Sequence, residues 1–130
     1  MAIRGIAYVQ LVVEDWPIAV EFYRDVLAFP VEQLFEVEQW ASFALAGAKL
    51  VLYGGGVGSD RPKGLDRNAF IPNLECDDID ATVAELESRG VPFIAPVADN
   101  GEGYKAATFV DPEGNRIQLF EWARPTEGTA

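Results

Sequence analysis

The sequence contains no histidine, and so lacks the commonest side-chain ligand of catalytic zinc, nickel and non-haem iron sites. A single cysteine, Cys76, excludes an internal disulfide, and its place in an apolar stretch reads as a buried thiol. Basic residues are scarce. Ten Lys and Arg against 21 Asp and Glu give a formal net charge of −11, which opposes binding to nucleic acid or to an anionic membrane, since both partners need a cationic face. A cationic ligand is favoured over an anionic one. No apolar run approaches the roughly 18 residues of a membrane-crossing helix. The N-terminus also lacks a basic region followed by an apolar signal core, so a cytoplasmic protein is expected.

What is present is enough for a core: 130 residues, 49% of them hydrophobic, make one ordinary domain or two small fused modules. The stretch from Tyr8 to Phe29 organises the rest. Residues 6–13 are apolar and β-branched, with Tyr8 and Gln10 on one parity, which predicts a strand with one face on a core and the other lining something more polar. Asp15 is a good N-cap and Pro17 suits a first helical turn, where its missing N–H is not needed. Ala19, Phe22, Tyr23, Val26 and Leu27 recur at helical spacing and predict one apolar stripe.

Pro30 stops this helix, and strands are expected over Val31–Val37, Trp40–Leu45 and Lys49–Tyr53. Residues 54–68 are glycine-rich and polar. They lack a Gly-Lys-Ser/Thr ending and a following helix, so they read as a linker and not as a phosphate loop. The pattern then repeats: a strand Phe70–Cys76, a cap at Asp77–Asp78, a helical stripe of Ile79, Val83 and Leu86 ended by Gly90, and strands Val91–Val97, Tyr104–Val110 and Asn115–Trp122. Asp78 lies 63 residues after Asp15, and that shift places Leu11 on Leu74, Val13 on Cys76 and Val20 on Val83. Two degenerate copies of one β-α-β-β-β module account for this. Module one spans 4–53, the linker 54–68, module two 69–122, and a flexible tail is expected over 123–130.

The paired modules, the segment Asp15–Phe29 and the segment Asp111-Pro-Glu-Gly-Asn-Arg-Ile-Gln-Leu-Phe-Glu121 resemble the vicinal oxygen chelate superfamily, which includes glyoxalase I, extradiol dioxygenases, methylmalonyl-CoA epimerase and the bleomycin-binding resistance proteins. Ala28 stands where that family commonly has Gly. The resemblance implies an α+β fold in which the two modules form an open eight-stranded barrel-like cleft, commonly in a homodimer. It also implies four metal-ligand positions, here Tyr8, Val51, Ile71 and Gln118. Only Gln118 is a plausible oxygen donor; Tyr8 is a poor one at neutral pH, and Val51 and Ile71 have none. No metal and no cofactor are therefore expected.

By parity, the positions sharing the inward side with those four are Gln10, Val12, Lys49, Tyr53, Asn73, Glu75, Arg116 and Phe120, while Leu11, Val13, Leu50, Leu52, Leu74, Cys76, Ile117 and Leu119 face the helices. The expected ligand-binding cleft is Tyr8, Gln10, Tyr53, Asn73, Glu75, Gln118 and Phe120, with Tyr104 at the rim where the bleomycin-binding relatives place an aromatic beside the drug. Trp16, Trp40 and Trp122 are read as core or dimer-interface residues. Three function classes stay open. One is a metal-independent protein that sequesters a small cationic or aromatic compound. Another is a superfamily enzyme with a relocated metal, or with Glu75 or Tyr8 as a metal-free acid or base. The third is a small dimeric accessory domain with a vestigial cleft. The scaffold by itself does not choose, because it hosts unrelated chemistries.

Overall fold

A computed structural model of the chain describes residues 2–99, 101 and 103–123. The expected tail from residue 124 onward, and Asn100 and Glu102 in the loop before Tyr104, lie outside the described residues. The chain divides into two compact units, Met1–Asp60 and Arg61–Ala130. Each is an α+β module with one four-stranded sheet, and among the described residues no helix is long and apolar enough to cross a membrane.

The first unit runs β1 (Val9–Val13), α1 (Trp16–Glu21), a π-helical turn (Phe22–Val26), β2 (Val31–Phe35), β3 (Trp40–Leu45) and β4 (Ala48–Gly54). Its sheet order is β1-β4-β3-β2, with β1 parallel to β4 and the other pairs antiparallel. The second unit repeats it with β5 (Asn73–Glu75), α2 (Ile79–Ser88), β6 (Phe93–Asp99), β7 (Tyr104–Val110) and β8 (Arg116–Trp122), in the order β5-β8-β7-β6. The internal repeat inferred from the 63-residue shift is therefore a repeat of topology.

Both helices begin as their sequences dictate. Asp15 Oδ1 accepts from the N–H of Ile18 at 3.2 Å, and Asp78 Oδ1 from that of Ala81 at 3.1 Å, each satisfying an otherwise orphan donor of the first turn. They end differently. After α2, Gly90 takes φ 84°, and the bonds Gly90 N–H to Glu87 O (3.0 Å) and Val91 N–H to Leu86 O (3.0 Å) form a Schellman motif. After α1, the π turn adds a residue: Leu27 N–H bonds Phe22 O, and the closing bond runs from Phe29 N–H to Tyr23 O, both at 3.0 Å. Ala28 stands at the left-handed position with φ 59°, the place where glycine is free of steric cost.

Each helix covers one face of its own sheet. In the first unit Val13, Trp16, Ala19, Val20, Phe22, Tyr23, Ala41, Phe43 and Leu52 are buried, and the Trp16 indole N–H donates to Leu52 O at 3.1 Å, fastening α1 to β4. The Tyr23 ring packs on Phe29 and Phe43. In the second unit Ile79, Leu86, Val91, Ala107, Phe109, Ile117 and Leu119 are buried, and Ile79 N–H donates to Glu121 Oε1 at 2.8 Å.

Some boundaries differ from those read in the sequence, for local reasons. β2 stops at Phe35 because residues 36–39 turn, with Gln39 at φ 52°. The strand expected over Phe70–Cys76 contracts to Asn73–Glu75: Pro72 has no N–H for a ladder, and only its carbonyl takes part, accepting from Gln118 N–H at 2.9 Å. β6 begins two residues late and is an edge strand with a register shift between Ala95 and Ala98, the kind of place where Pro96 is tolerated.

The glycine-rich stretch is tied down at both ends, each within its own unit. Gly56 N–H bonds Val13 O at 2.9 Å and Gly58 N–H bonds Glu14 Oε1 at 3.1 Å. Further on, Lys63 Nζ donates to Asn115 Oδ1 at 2.7 Å, Arg116 Nε donates to Lys63 O at 2.7 Å, and Asn68 Oδ1 accepts from Arg116 N–H at 2.8 Å. The receiving turn is built on Asp111, a buried carboxylate whose Oδ1 accepts from the N–H groups of Glu113 and Asn115 at 2.9 Å and whose Oδ2 accepts from Asn115 Nδ2 at 2.8 Å.

Candidate functional site

In each unit the sheet face away from its helix carries the side chains that the sequence singled out. Directly paired residues share a face, so the registers settle which belong together. In the first unit one row across the sheet is Gln10, Val51, Ser42 and Gln33, and the next is Val12, Tyr53, Trp40 and Phe35. Tyr8 precedes β1, and its ring meets Trp40 edge to face with centroids 6.3 Å apart. Phe35 packs on the other side of Trp40 at 5.8 Å. Tyr8, Tyr53 and Phe35 remain 44%, 42% and 47% exposed, whereas Val51 and Ser42 are fully buried. Lys49, on the same face by alternation, is neutralised by Glu32 at 2.7 Å.

In the second unit the corresponding rows are Asn73, Gln118, Thr108 and Ala95, then Glu75, Phe120 and Ala106 with Ala98 beyond. Tyr104 pairs with Trp122, and its ring lies 5.0 Å from that of Phe120 at 35°, while Phe120 meets Trp122 edge to face at 4.5 Å. Glu75 and Asn73 are exposed; Gln118, Phe120 and Tyr104 are half-buried. The parity assignments made from the sequence thus coincide with the registers for Gln10, Val12, Tyr53, Asn73, Glu75, Gln118 and Phe120 on this face, and for Leu11, Leu52, Leu74 and Leu119 on the helical one.

The two faces of the second unit's sheet treat polar groups differently. On the helical side of β7 and β8 the polar side chains are engaged: Glu121 accepts from Ile79 N–H, and Lys105 Nζ lies 3.9 Å from Asp80 Oδ2. On the other face Asn73 Nδ2 is held by Ile71 O at 3.0 Å and Arg116 by Lys63 O. The side chains of Gln10, Gln33, Glu75, Thr108 and Gln118 make no hydrogen bond or ion pair among the described residues. Ser42 Oγ is buried without a partner, a state that ordinarily costs about 1–3 kcal/mol and is rare in folded proteins. The thiol of Cys76 points the other way: burial pushes its pKa up, opposed by the neighbouring Thr82 hydroxyl, and the thiol donates to Phe120 O at 3.6 Å.

The four positions that correspond to metal ligands do not fit a metal centre. Val51 is a buried hydrocarbon between Gln10 and Ser42, Ile71 offers only its backbone carbonyl, and that carbonyl already accepts from Asn73. No group of three or more His, Cys, Asp or Glu that could hold a metal ion occurs among the described residues.

Reasoning from the sequence missed the contributions of β2 and β3 and, in β7, named only Tyr104. Trp40, assigned to a core or an interface, is half-buried in the aromatic cluster of the first face, and Phe35, Ser42 and Thr108 join the same faces. The alternation of Trp40, Ser42 and Ala44 against Ala41 and Phe43 was the available signal. It gives two faces without saying which one the helix covers. Trp16 is core, as read, and Trp122 is 59% exposed beside Phe120.

Comparison with known proteins agrees with this architecture. Residues 5–119 match the model of the Glyoxalase/Bleomycin resistance protein/Dioxygenase superfamily. The chain is 27% identical to the uncharacterised protein YraH of Bacillus subtilis (strain 168), over 87% of this chain and 94% of that one. Among solved structures it is similar to TnmS3, an antibiotic binding protein from Streptomyces sp. CB03234, with TM-score 0.71 and 27% identity over 94% of this chain and 98% of that one. It also superposes on a glyoxalase/dioxygenase from Nostoc punctiforme with TM-score 0.76 at 17% identity, covering 93% and 92% of the two chains, a likeness of fold. With the repeated module, the matched length and the shared topology in agreement, the chain belongs to the Glyoxalase/Bleomycin resistance protein/Dioxygenase superfamily.

Proposed function

We propose that this protein binds a small organic compound without a metal, sequestering it rather than transforming it, and that the compound carries an aromatic part and a cationic group. The observation that carries the reading is the set of polar side chains left without protein partners on the sheet faces opposite the helices. Opposite the helices, amides, a carboxylate and hydroxyls lie beside aromatic rings without partners among the described residues. A binding surface of this kind needs a few oriented polar groups among apolar ones. Glu75 supplies a negative charge next to the Phe120 ring, an arrangement that suits an ammonium group. The antibiotic-binding role of the similar TnmS3 supports the same class, including a part in antibiotic resistance. We also propose a homodimer. Its support is the open edge strands of both sheets and the exposure of Phe70, Leu65 and Val37, apolar surface that a second copy would cover.

The test is titration with (2-naphthylmethyl)trimethylammonium, with and without a chelator. Binding is expected in both conditions, weakened about threefold to tenfold by Glu75→Gln, as for one exposed charged contact. Affinity that needs an added divalent metal, or turnover of the probe, would move the reading to an enzyme. Sedimentation at micromolar concentration checks the dimer.

A further inference from the structure

We infer that the face of the first unit holds a neutral, flat arene bearing one hydroxyl or carbonyl group, with Ser42 as its hydrogen-bond partner and Trp40 as its stacking surface. The inference rests on the binding reading above and assigns a chemical class to one of its two faces. Three observations meet here. Ser42 Oγ is fully buried and has no partner, so an acceptor and a donor are held ready in an apolar place. The row that contains Ser42 also carries the amides of Gln10 and Gln33, neither of them engaged among the described residues. Above that row Tyr8 reaches over β4 to the edge of Trp40.

Tyr8 lies outside β1 and is 44% exposed. Its ring can therefore swing away from Trp40 at the loss of one aromatic contact, leaving the strand ladders intact. That movement uncovers Val51 and Ser42 together: a flat apolar floor with one hydroxyl in it. An arene of two fused rings can replace the Tyr8 edge against Trp40 while its own oxygen reaches Ser42. Charge selects a neutral guest, because Lys49, the cation of this face, is already paired with Glu32. The second face, with Glu75, is the one suited to a cation.

The experiment compares 2-naphthol with 2-methylnaphthalene, in which a methyl group replaces the hydroxyl, by amide and indole chemical-shift titration of the whole chain. Expected are 2-naphthol shifts at the Trp40 indole and the Ser42 amide. Ser42→Ala should weaken 2-naphthol about fivefold to tenfold and leave 2-methylnaphthalene unchanged, the signature of one lost hydrogen bond. Ser42→Ala strands no partner and should fold at least as stably as the parent. Trp40→Leu should weaken both arenes. Equal 2-naphthol affinity in parent and Ser42→Ala overturns the inference. So do shifts confined to Phe120, Trp122 and their neighbours, which would leave the broader binding reading standing. Absence of binding by either neutral arene also overturns the inference, while the broader reading is decided separately by the (2-naphthylmethyl)trimethylammonium titration.

Discussion

The ring of Tyr8 and the indole of Trp40 meet edge to face at 6.3 Å with their planes at 90°, although β4 lies between the segments that carry them. A contact that spans a strand must pass over that strand's side chains. By register Val51 and Ser42 lie in the row between those of the two rings, and both are fully buried while Tyr8, Tyr53 and Phe35 are 44%, 42% and 47% exposed. The pair should be energetically coupled. A double-mutant cycle on Tyr8→Ala and Trp40→Leu, read by urea unfolding, is expected to give about 0.5–1.5 kcal/mol of interaction. Strict additivity would mean that the rings touch without stabilising the fold.

Ala28 holds φ 59° where the chain leaves the π turn. An L side chain in the left-handed region costs roughly 1–2 kcal/mol, and glycine adds back part of that as extra freedom of the unfolded chain. Ala28→Gly should therefore raise stability by about 0.5–1 kcal/mol, visible as a higher urea midpoint with an unchanged slope. A lower midpoint would show that the methyl group makes a packing contribution larger than the backbone strain.

Asp111 is buried and its two oxygens accept three hydrogen bonds within its own turn, the same turn on which Lys63 and Arg116 anchor the strap of residues 61–68. Removing the carboxylate leaves buried N–H groups of Glu113 and Asn115 without acceptors. Asp111→Ala is expected to cost at least about 2–3 kcal/mol, and Asp111→Asn less, since one acceptor oxygen remains. Hydrogen exchange should speed up at Lys63, whose N–H bonds Gly114 O. Unchanged protection there would separate the turn from the strap.

Burial pushes the Cys76 thiol above its ordinary pKa. The neutral form is then favoured in the folded chain. Stability is full below the unfolded thiol's pKa and declines as pH rises through the higher folded value, while thiolate-dependent alkylation lags behind that of an unfolded control. Iodoacetamide labelling at pH 8.5, with and without 8 M urea as roughly complete denaturation, reads the difference. Equal rates in the two conditions are the result that contradicts it.

Period and caps made most of the secondary structure legible. Strand alternation in β1, β4 and β8, the acidic caps Asp15 and Asp78, the glycine after α2 and the 63-residue self-similarity led from sequence alone to two β-α-β-β-β modules, because each is a local consequence of backbone geometry. The same alternation separated the helix-facing from the open residues in the strands next to a recognised motif. The π turn and the shortened β5 escaped it, since a widened helical turn and the loss of pairing before Asn73 depend on neighbours such as Tyr23 and Pro72, not on periodicity. What tertiary structure alone decided is the company kept on the open faces. Alternation cannot tell which side of β3 the helix covers, and pairing with β4 puts Trp40 beside Tyr53 and Ser42 beside Val51. The place of the buried Ser42 hydroxyl in the row between Tyr8 and Trp40 comes from the pairing of β1, β4 and β3, and no single segment carries it.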